Sequence, residues 1–107
     1  MDVLSIAASG LQAAQAQLAV AANNIANVNT PNYHAQRVDL VELTGGGVGV
    51  SGTSSTGSGT DLATELTNLS QATLLYKANA AVLKTADQMF GSLLDIFDNQ
   101  KNDSDGH

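Results

Sequence analysis

The chain has 107 residues, a net charge of −6 and no cysteine. These values limit it to one small domain and exclude disulfides, thiolate metal sites and a cysteine nucleophile. Its four basic residues are too few for a footprint on a phosphate backbone, so nucleic acid is excluded as a partner. Aromatic residues make up 4% of the chain and alanine and leucine supply most of the apolar residues, a composition that favours close packing of helices.

The N-terminal segment is apolar but does not have the pattern of a secretory signal or of a membrane span. Asp2 is the only charged residue before Arg37, and Gln12, Gln15 and Gln17 interrupt the apolar run. A cleaved signal needs a positive start and an unbroken apolar region, and a membrane span needs about 18 apolar residues. We therefore expect no cleaved signal and no transmembrane segment.

The first predicted helix carries two apolar series with a seven-residue repeat. The first series is Leu4, Leu11, Leu18 and Ile25, and the second, three places later, is Ala7, Ala14, Ala21 and Val28. This is the a/d pattern of helices that pack along a seam, and small residues in the second series let the partner approach closely. The Ser9-Gly10 pair interrupts the helix at a cost on the order of 1 kcal/mol relative to alanine, which indicates that close approach matters there.

The first helix is predicted to end in the segment "AANNIANVNTPNYHAQR", residues 21–37. Asn23, Asn24 and Asn27 fall beside the apolar seam, and their amides are expected to bond to neighbouring subunits in an assembly. Asn29 is expected to cap the helix, and Pro31 to hold the preceding residue extended.

Residues 34–60 are predicted to connect two helices. The sequence "VDLVEL" can form a short strand, and the Gly/Ser/Thr-rich residues 44–60 have the composition of a flexible connector. Gly47, Gly49 and Gly52 match the spacing of a dinucleotide-binding loop, but no helix opens directly after them. The segment is therefore predicted to be a linker.

The second predicted helix spans residues 61–97, with Thr60 as its N-cap. Its packing residues recur every seven positions: Leu62, Leu69, Tyr76, Leu83, Phe90 and Phe97. A neighbouring apolar series widens this face beyond what one partner helix needs. Residues 98–107 are predicted to form a disordered polar tail.

These elements predict a mainly all-α fold, in which the long N- and C-terminal helices pack as an antiparallel coiled-coil-like hairpin around a short β or irregular Gly/Ser-rich connector. The predicted division is residues 1–33, 34–60, 61–97 and 98–107. Two such helices imply an elongated molecule. His34 and His107 have no second His or Cys at metal-ligand spacing, so no catalytic, metal or cofactor site is predicted and the chain is not expected to be an enzyme.

Both helices carry motifs that resemble the signatures of the bacterial flagellar rod and hook axial proteins. The N-terminal motif, "SGLQAAQAQLAVAANNIANVNTPNY", contributes Ser9, Gly10, Leu11, Asn23, Asn24, Ile25, Ala26, Asn27, Thr30, Pro31 and Tyr33. The C-terminal motif contributes Ala78, Asn79, Asp87 and Met89. Asn32 stands where the family pattern usually has glycine, and asparagine tolerates the same left-handed backbone region.

The resemblance implies a structural subunit of the flagellar basal-body rod, located across the periplasm after export by the flagellar type III apparatus. Its implied partners are copies of itself, other rod or hook subunits and the export apparatus, and polymerisation would use the terminal helices. The short middle segment favours a minimal, proximal-rod-like member. The alternative from the heptads alone is a helical coiled-coil adaptor or an export-chaperone-like protein.

Overall fold

The computed structural model describes residues 2–105 and contains two helices and two strands in this range. Helix α1 spans Val3–Ala26, strand β1 Gln36–Glu42, strand β2 Val48–Ser55 and helix α2 Leu62–Asp105. The mainly helical fold class is therefore confirmed. The molecule measures 77 × 25 × 14 Å, so the elongated shape expected from the two long helices is also confirmed.

Helix α1 is capped at both ends by side chains or backbone of polar residues. The Asp2 carboxylate accepts a hydrogen bond from the Ser5 N–H at 2.8 Å, which satisfies one of the free amides of the first turn. The same bond lowers the pKa of the Asp2 carboxyl below its ordinary value. The helix ends at Ala26 with Asn27 as its C-cap, two residues before the expected cap at Asn29.

The fully buried face of α1 is formed by its small residues. Ala14 is 0% exposed, and Ala7, Ala13 and Ala21 are also buried. The leucine series is only half-buried at Leu4, Leu11, Leu18 and Ile25. Helices α1 and α2 contact each other, and buried Gly10 of α1 lies directly against Asn79 of α2.

The connector folds into an antiparallel β-hairpin, of which the sequence predicted only the first strand. Strand β1 pairs with β2 through a turn in which the Leu43 N–H donates to the Gly47 carbonyl at 3.1 Å. The register shifts between Asp39 and Leu40, where Ser51 bulges out and its hydroxyl donates to the Asp39 carbonyl. Strand β2 is poor in apolar residues, so its composition resembles that of a linker although its backbone is paired.

Helix α2 differs from its predicted bounds at both ends. Asp61, and not Thr60, caps it: its carboxylate accepts from the Ala63 N–H at 3.3 Å and from the Thr64 hydroxyl at 2.8 Å. The Thr60 hydroxyl is buried without a hydrogen-bond partner within residues 2–105. The helix continues past Phe97 to Asp105, through most of the segment predicted as a disordered tail. The last two residues of that segment, 106–107, lie outside the described residues.

Helix α1 is long and apolar enough to cross a membrane, judged by length and composition alone. The expectation that the chain has no transmembrane segment stays a prediction. Buried core helices and signal sequences near an N-terminus meet the same criterion, and the alanine face of α1 packs within the protein.

Candidate functional site

The Ser9-Gly10 pair joins α1 to both other parts of the fold. The Ser9 hydroxyl donates to the Ile6 carbonyl at 2.6 Å and accepts from the Val48 N–H at 3.1 Å, so it ties the first residue of β2 to α1. Gly10 is buried, and a Cβ atom at this position would lie 2.6 Å from the Asn79 side chain. Ser9 thus holds the hairpin on α1 through its hydrogen bond, and the absence of a side chain at Gly10 allows α2 to pack closely.

Asn24 connects the end of α1 to the start of β1. It is 1% exposed. Its amide nitrogen donates to the Gln36 carbonyl and its amide oxygen accepts from the Gln36 N–H, both at 2.9 Å. The Tyr33 hydroxyl donates to the same oxygen at 3.0 Å. The side chain therefore pairs with Gln36 as a neighbouring β-strand residue would.

The remaining motif asparagines organise the turn between α1 and β1. The amide of Asn23 donates to the Tyr33 hydroxyl at 3.1 Å. The amide of Asn27 donates back to the Asn23 carbonyl at 2.9 Å and its oxygen accepts from the Thr30 hydroxyl at 3.1 Å. These bonds lie within one chain, so the expectation that the amides serve neighbouring subunits is wrong for buried Asn24, and Asn23 and Asn27 also have partners of their own.

The proline turn contains a left-handed residue at Asn32, the position where the family pattern usually has glycine. Pro31 is exposed and follows Thr30, and Asn32 has φ = 62°. This is the left-handed region in which glycine is the usual residue and asparagine the commonest substitute. The departure at Asn32 from the usual glycine therefore leaves the turn intact. Of the other N-terminal motif residues, Leu11 and Ile25 are half-buried and Ala26 is exposed.

The C-terminal motif residues fall into two groups. Asn79 is half-buried against Gly10, and its amide donates to the Leu75 carbonyl at 3.0 Å. Ala78, Asp87 and Met89 are exposed. The structure therefore brings Asn79 to the N-terminal motif and leaves the rest of this motif on the surface of α2.

The heptad residues of α2 divide in the same way. Leu69, Tyr76 and Leu83 are half-buried, whereas Leu62, Phe90 and Phe97 are exposed. All residues from Asp87 to Lys101 are exposed. Two buried residues of α2, Glu65 and Ala72, were not predicted. Their seven-residue spacing, which continues to Asn79 and Ala86, was the available signal.

An open cleft of about 810 Å³ lies where the end of α1, the start of β1 and the start of α2 meet. Its wall combines apolar side chains with polar ones, and the polar ones include Gln17, Asn24, Arg37, Asp61, Glu65 and Asn68. Arg37 forms an ion pair of 3.3 Å with Asp39, and Asp61 caps α2. Among residues 2–105, no group of three or more His, Cys, Asp or Glu side chains is placed to hold a metal ion.

Ser9, Gly10, Asn24 and Asn79 of the motifs serve hydrogen bonding and helix packing within an elongated, mainly helical protein. Residues 4–34 match the family described as "Flagella basal body rod protein", and residues 52–96 match "Flagellar basal body rod FlgEFG protein C-terminal". The chain belongs to the flagellar basal-body rod protein family. The first match covers α1 and its turn, and the second covers the end of β2 and most of α2.

A relative supports the same family. The flagellar basal-body rod protein FlgG of Agrobacterium fabrum is 49% identical over 43 residues, which are 40% of this chain and 16% of the relative. The chain thus spans only a small part of the length of that protein.

Proposed function

We propose that the protein is a structural subunit of the flagellar basal-body rod that polymerises through its terminal helices. One observation carries the proposal: α2 is far longer than α1, and its C-terminal part presents an apolar face that the rest of residues 2–105 leaves exposed. The exposed large apolar residues of this face are Met89, Phe90, Leu93, Leu94, Ile96 and Phe97. Exposed apolar faces of this extent on a helix indicate a protein interface.

The geometry of the two helices supports the proposed antiparallel coiled-coil-like hairpin. Gly10 lies opposite Asn79, and Ala21 and Ala72 border the same cleft. Residues later in α1 therefore lie beside residues earlier in α2, as they do in an antiparallel pair. Because α1 has 24 residues and α2 has 44, α2 is about 30 Å longer at 1.5 Å per residue. The excess is available to neighbouring subunits.

The proposal includes the location and partners of the subunit. It would reside in the basal body, in the rod that crosses the periplasm, after export from the cytoplasm by the flagellar type III apparatus. Its partners would be copies of itself and other rod or hook subunits. The short segment between the helices supports a minimal, proximal-rod-like member. A structural family supports a role without catalysis, cofactor or metal.

Substitutions on the exposed end of α2 test the proposal. Phe90→Asp and Phe97→Asp place a charge on the apolar face, where both residues are more than half exposed, so the monomer is expected to fold normally. Assembly, measured by light scattering and electron microscopy over a range of protein concentrations, is expected to weaken by at least about tenfold because a charge would have to be buried at the interface. Asn99→Asp adds the same charge at an exposed polar position and serves as the control.

Two outcomes would contradict the proposal. If the aspartate variants assemble as the unmodified protein does, the exposed face of α2 is not the interface. If the unmodified chain stays a fully helical monomer at every concentration, the adaptor or export-chaperone alternative is favoured. Leu18→Asp and Leu83→Asp are also expected to block assembly, but both residues are half-buried, so circular dichroism must first show that these variants fold.

A further inference from the structure

The face of α2 that packs in the helix pair continues past the point where α1 begins. The buried and half-buried residues of this face recur at alternating intervals of four and three, which is the spacing of a helix seam. They are Glu65, Leu69, Ala72, Tyr76, Asn79, Leu83 and Ala86, with Thr73 and Ala80 alongside. The same spacing continues at Phe90, Leu93 and Phe97, with Leu94 alongside. The seam that has a helix partner in the first part of α2 therefore runs on, with larger apolar side chains, into its second part.

Helix α1 does not reach this continuation of the seam. Gly10 lies against Asn79, so Val3, the first residue of α1, lies seven residues further along the antiparallel pair, near Ala86. Residues 87–105 of α2, called the extension from here on, lie beyond the described part of α1. Residues 87–101 are all exposed. The extension is about 28 Å long at 1.5 Å per residue.

The apolar surface of the extension is large enough for a dimer interface. Its six large apolar residues between positions 89 and 97 are 47–68% exposed. At about 200 Å² for a whole large side chain, they present roughly 700 Å² per copy. A specific interface of standard size buries about 800 Å² per partner. This surface therefore nearly suffices for one side of a stable contact.

We propose that the extension pairs with the extension of a second copy in antiparallel orientation, so that two chains form a two-fold dimer. The partner helix continues the line of α1 along the seam of α2 and runs in the same direction as α1. The C-terminal end of α2 in one copy then meets the N-terminal end of α1 in the other. The dipoles of two helices in this order attract each other.

The length of the extension and its charges determine the register of the pair. If Leu93 of each copy faces Phe97 of the other, the extensions overlap along their whole length and end where α1 begins. A register one heptad deeper would drive the partner helix into the space of α1, and one heptad shallower would place Phe97 opposite Gln100. In the favoured register, Asp87 of each copy lies beside Lys101 of the other. Opposite charges thus meet at both ends of the contact, as they do beside the seams of specific helix pairs.

The dimer is a state of the free protein and goes beyond the proposed function. A two-fold contact uses the same patch on both copies and closes on itself, so it does not extend into a filament. One consequence rests on the proposed function: the dimer covers the face that polymerisation needs. A subunit must then leave the dimer before it enters a rod.

Distances between spin labels test the antiparallel pairing. The chain has no cysteine, so one introduced cysteine carries one label. Ala81→Cys, Gln88→Cys and Asp95→Cys place it at three exposed positions on the side of α2 away from the seam. In the proposed dimer residue 95 lies at the two-fold axis. The separation of the two labels along the helix is therefore near zero at Asp95, about 21 Å at Gln88 and about 42 Å at Ala81.

Electron double resonance on the free protein is expected to give the shortest distance at Asp95 and the longest at Ala81. Equal distances at the three positions, as in a parallel pair or a head-to-tail stack, would overturn the inference.

Reversal of the end charges tests the register. Asp87→Lys and Lys101→Asp are each expected to raise the dissociation constant of the dimer about fivefold, because each makes two attractive pairs repulsive. The double variant, which exchanges the signs of both pairs, should return close to the original value. Analytical ultracentrifugation measures all three. Asp98→Lys makes the same charge change at an exposed position off the seam and should have little effect, and equal weakening by this control would overturn the contact.

Two results separate this inference from the proposed function. If the free protein forms the dimer but never polymerises, the proposed function fails and this inference stands. If it polymerises while the free protein stays monomeric at every concentration, only this inference fails. All substituted positions are exposed, so the variants are expected to fold, and circular dichroism checks this.

Discussion

Gly10 and Asn79 are in contact across the two helices, and the amide of Asn79 occupies the space where a side chain at position 10 would begin. A Cβ atom on Gly10 would lie 2.6 to 2.7 Å from three atoms of the Asn79 side chain. Asn79 is held in place by its hydrogen bond to the Leu75 carbonyl. The glycine of the first signature and the asparagine of the second are therefore complementary in shape.

Gly10→Ala is expected to lower the free energy of unfolding although alanine is the better helix former. The substitution gains up to about 1 kcal/mol of helix propensity, but overpacking in a close contact costs about 1–3 kcal/mol. We expect a net loss of about 1 kcal/mol, measured by urea denaturation. Asn79→Ala in the same chain should restore most of it, because it removes the obstructing atoms.

Gly91→Ala is the matched control for this prediction. Gly91 lies in α2, and a Cβ atom there meets nothing within 4 Å. The same substitution should therefore stabilise the helix by up to about 1 kcal/mol. If Gly10→Ala were as stabilising as Gly91→Ala, the close contact between Gly10 and Asn79 would be refuted.

Asn24→Ala is expected to be among the most destabilising single substitutions in the turn region. The substitution removes three hydrogen bonds, two of them with the backbone of Gln36 and one with the Tyr33 hydroxyl. The groups that formed these bonds with Asn24 are left unsatisfied. We expect a loss of roughly 2–3 kcal/mol in the free energy of unfolding and faster hydrogen exchange at the Gln36 amide. Tyr33→Phe, which removes one hydroxyl, should cost about 1 kcal/mol.

Asn29→Ala is the control, since Asn29 is exposed and no side-chain hydrogen bond is assigned to it in the structure. It should change stability by less than about 0.5 kcal/mol. Equal effects of the two substitutions would show that the amide of Asn24 does not hold β1 to α1.

Periodicity predicted the helices well because a seven-residue repeat reflects the geometry of the helix itself. It placed both series of α1 along the seam but did not say how deeply each is buried: the alanines of the second series are fully buried and the first series is half-buried. The depth of burial depends on how closely the helices approach each other, and Gly10 lies directly against Asn79 of α2. This is a property of the pair of helices and cannot be read from either one.

The hydrogen-bond partners of the site residues could not be predicted from the sequence either. The asparagines of the first signature were named as hydrogen-bonding residues, but Asn24 bonds to the backbone of Gln36, twelve residues further along the chain, and no local spacing rule identifies this partner. Strand β2 was missed because its glycines and serines carry no alternating apolar pattern.

The backbone at Asn32 gives a prediction about the proline turn. Asn32 has φ = 62°, a conformation that costs an ordinary L-residue about 1–2 kcal/mol. Asn32→Ala should therefore lower the free energy of unfolding by about 1 kcal/mol, whereas Asn32→Gly should leave it unchanged or raise it slightly. Thermal denaturation of both variants measures the difference. Equal stability of the Asn32→Ala and Asn32→Gly variants would show that residue 32 is not in the left-handed conformation.

The cap at Asp2 gives the pH dependence of α1. Its carboxylate accepts the Ser5 N–H bond, and this bond lowers the pKa of Asp2 in the folded protein. A lowered pKa means that the contribution to stability is present above the unfolded pKa and is lost as the pH falls through the folded pKa. Helicity of the chain should therefore decrease in acid, and protonation of Asp2 should account for part of this decrease.

Asp2→Asn isolates this contribution, because asparagine caps a helix about as well as aspartate but does not titrate. The difference in circular dichroism between the two proteins should be small near neutral pH and should grow in favour of the asparagine variant as the pH falls below the pKa of Asp2. Asp2→Ala should be less helical at every pH, because it has no cap. Identical acid titrations of the unmodified protein and Asp2→Asn would show that Asp2 does not cap α1 in solution.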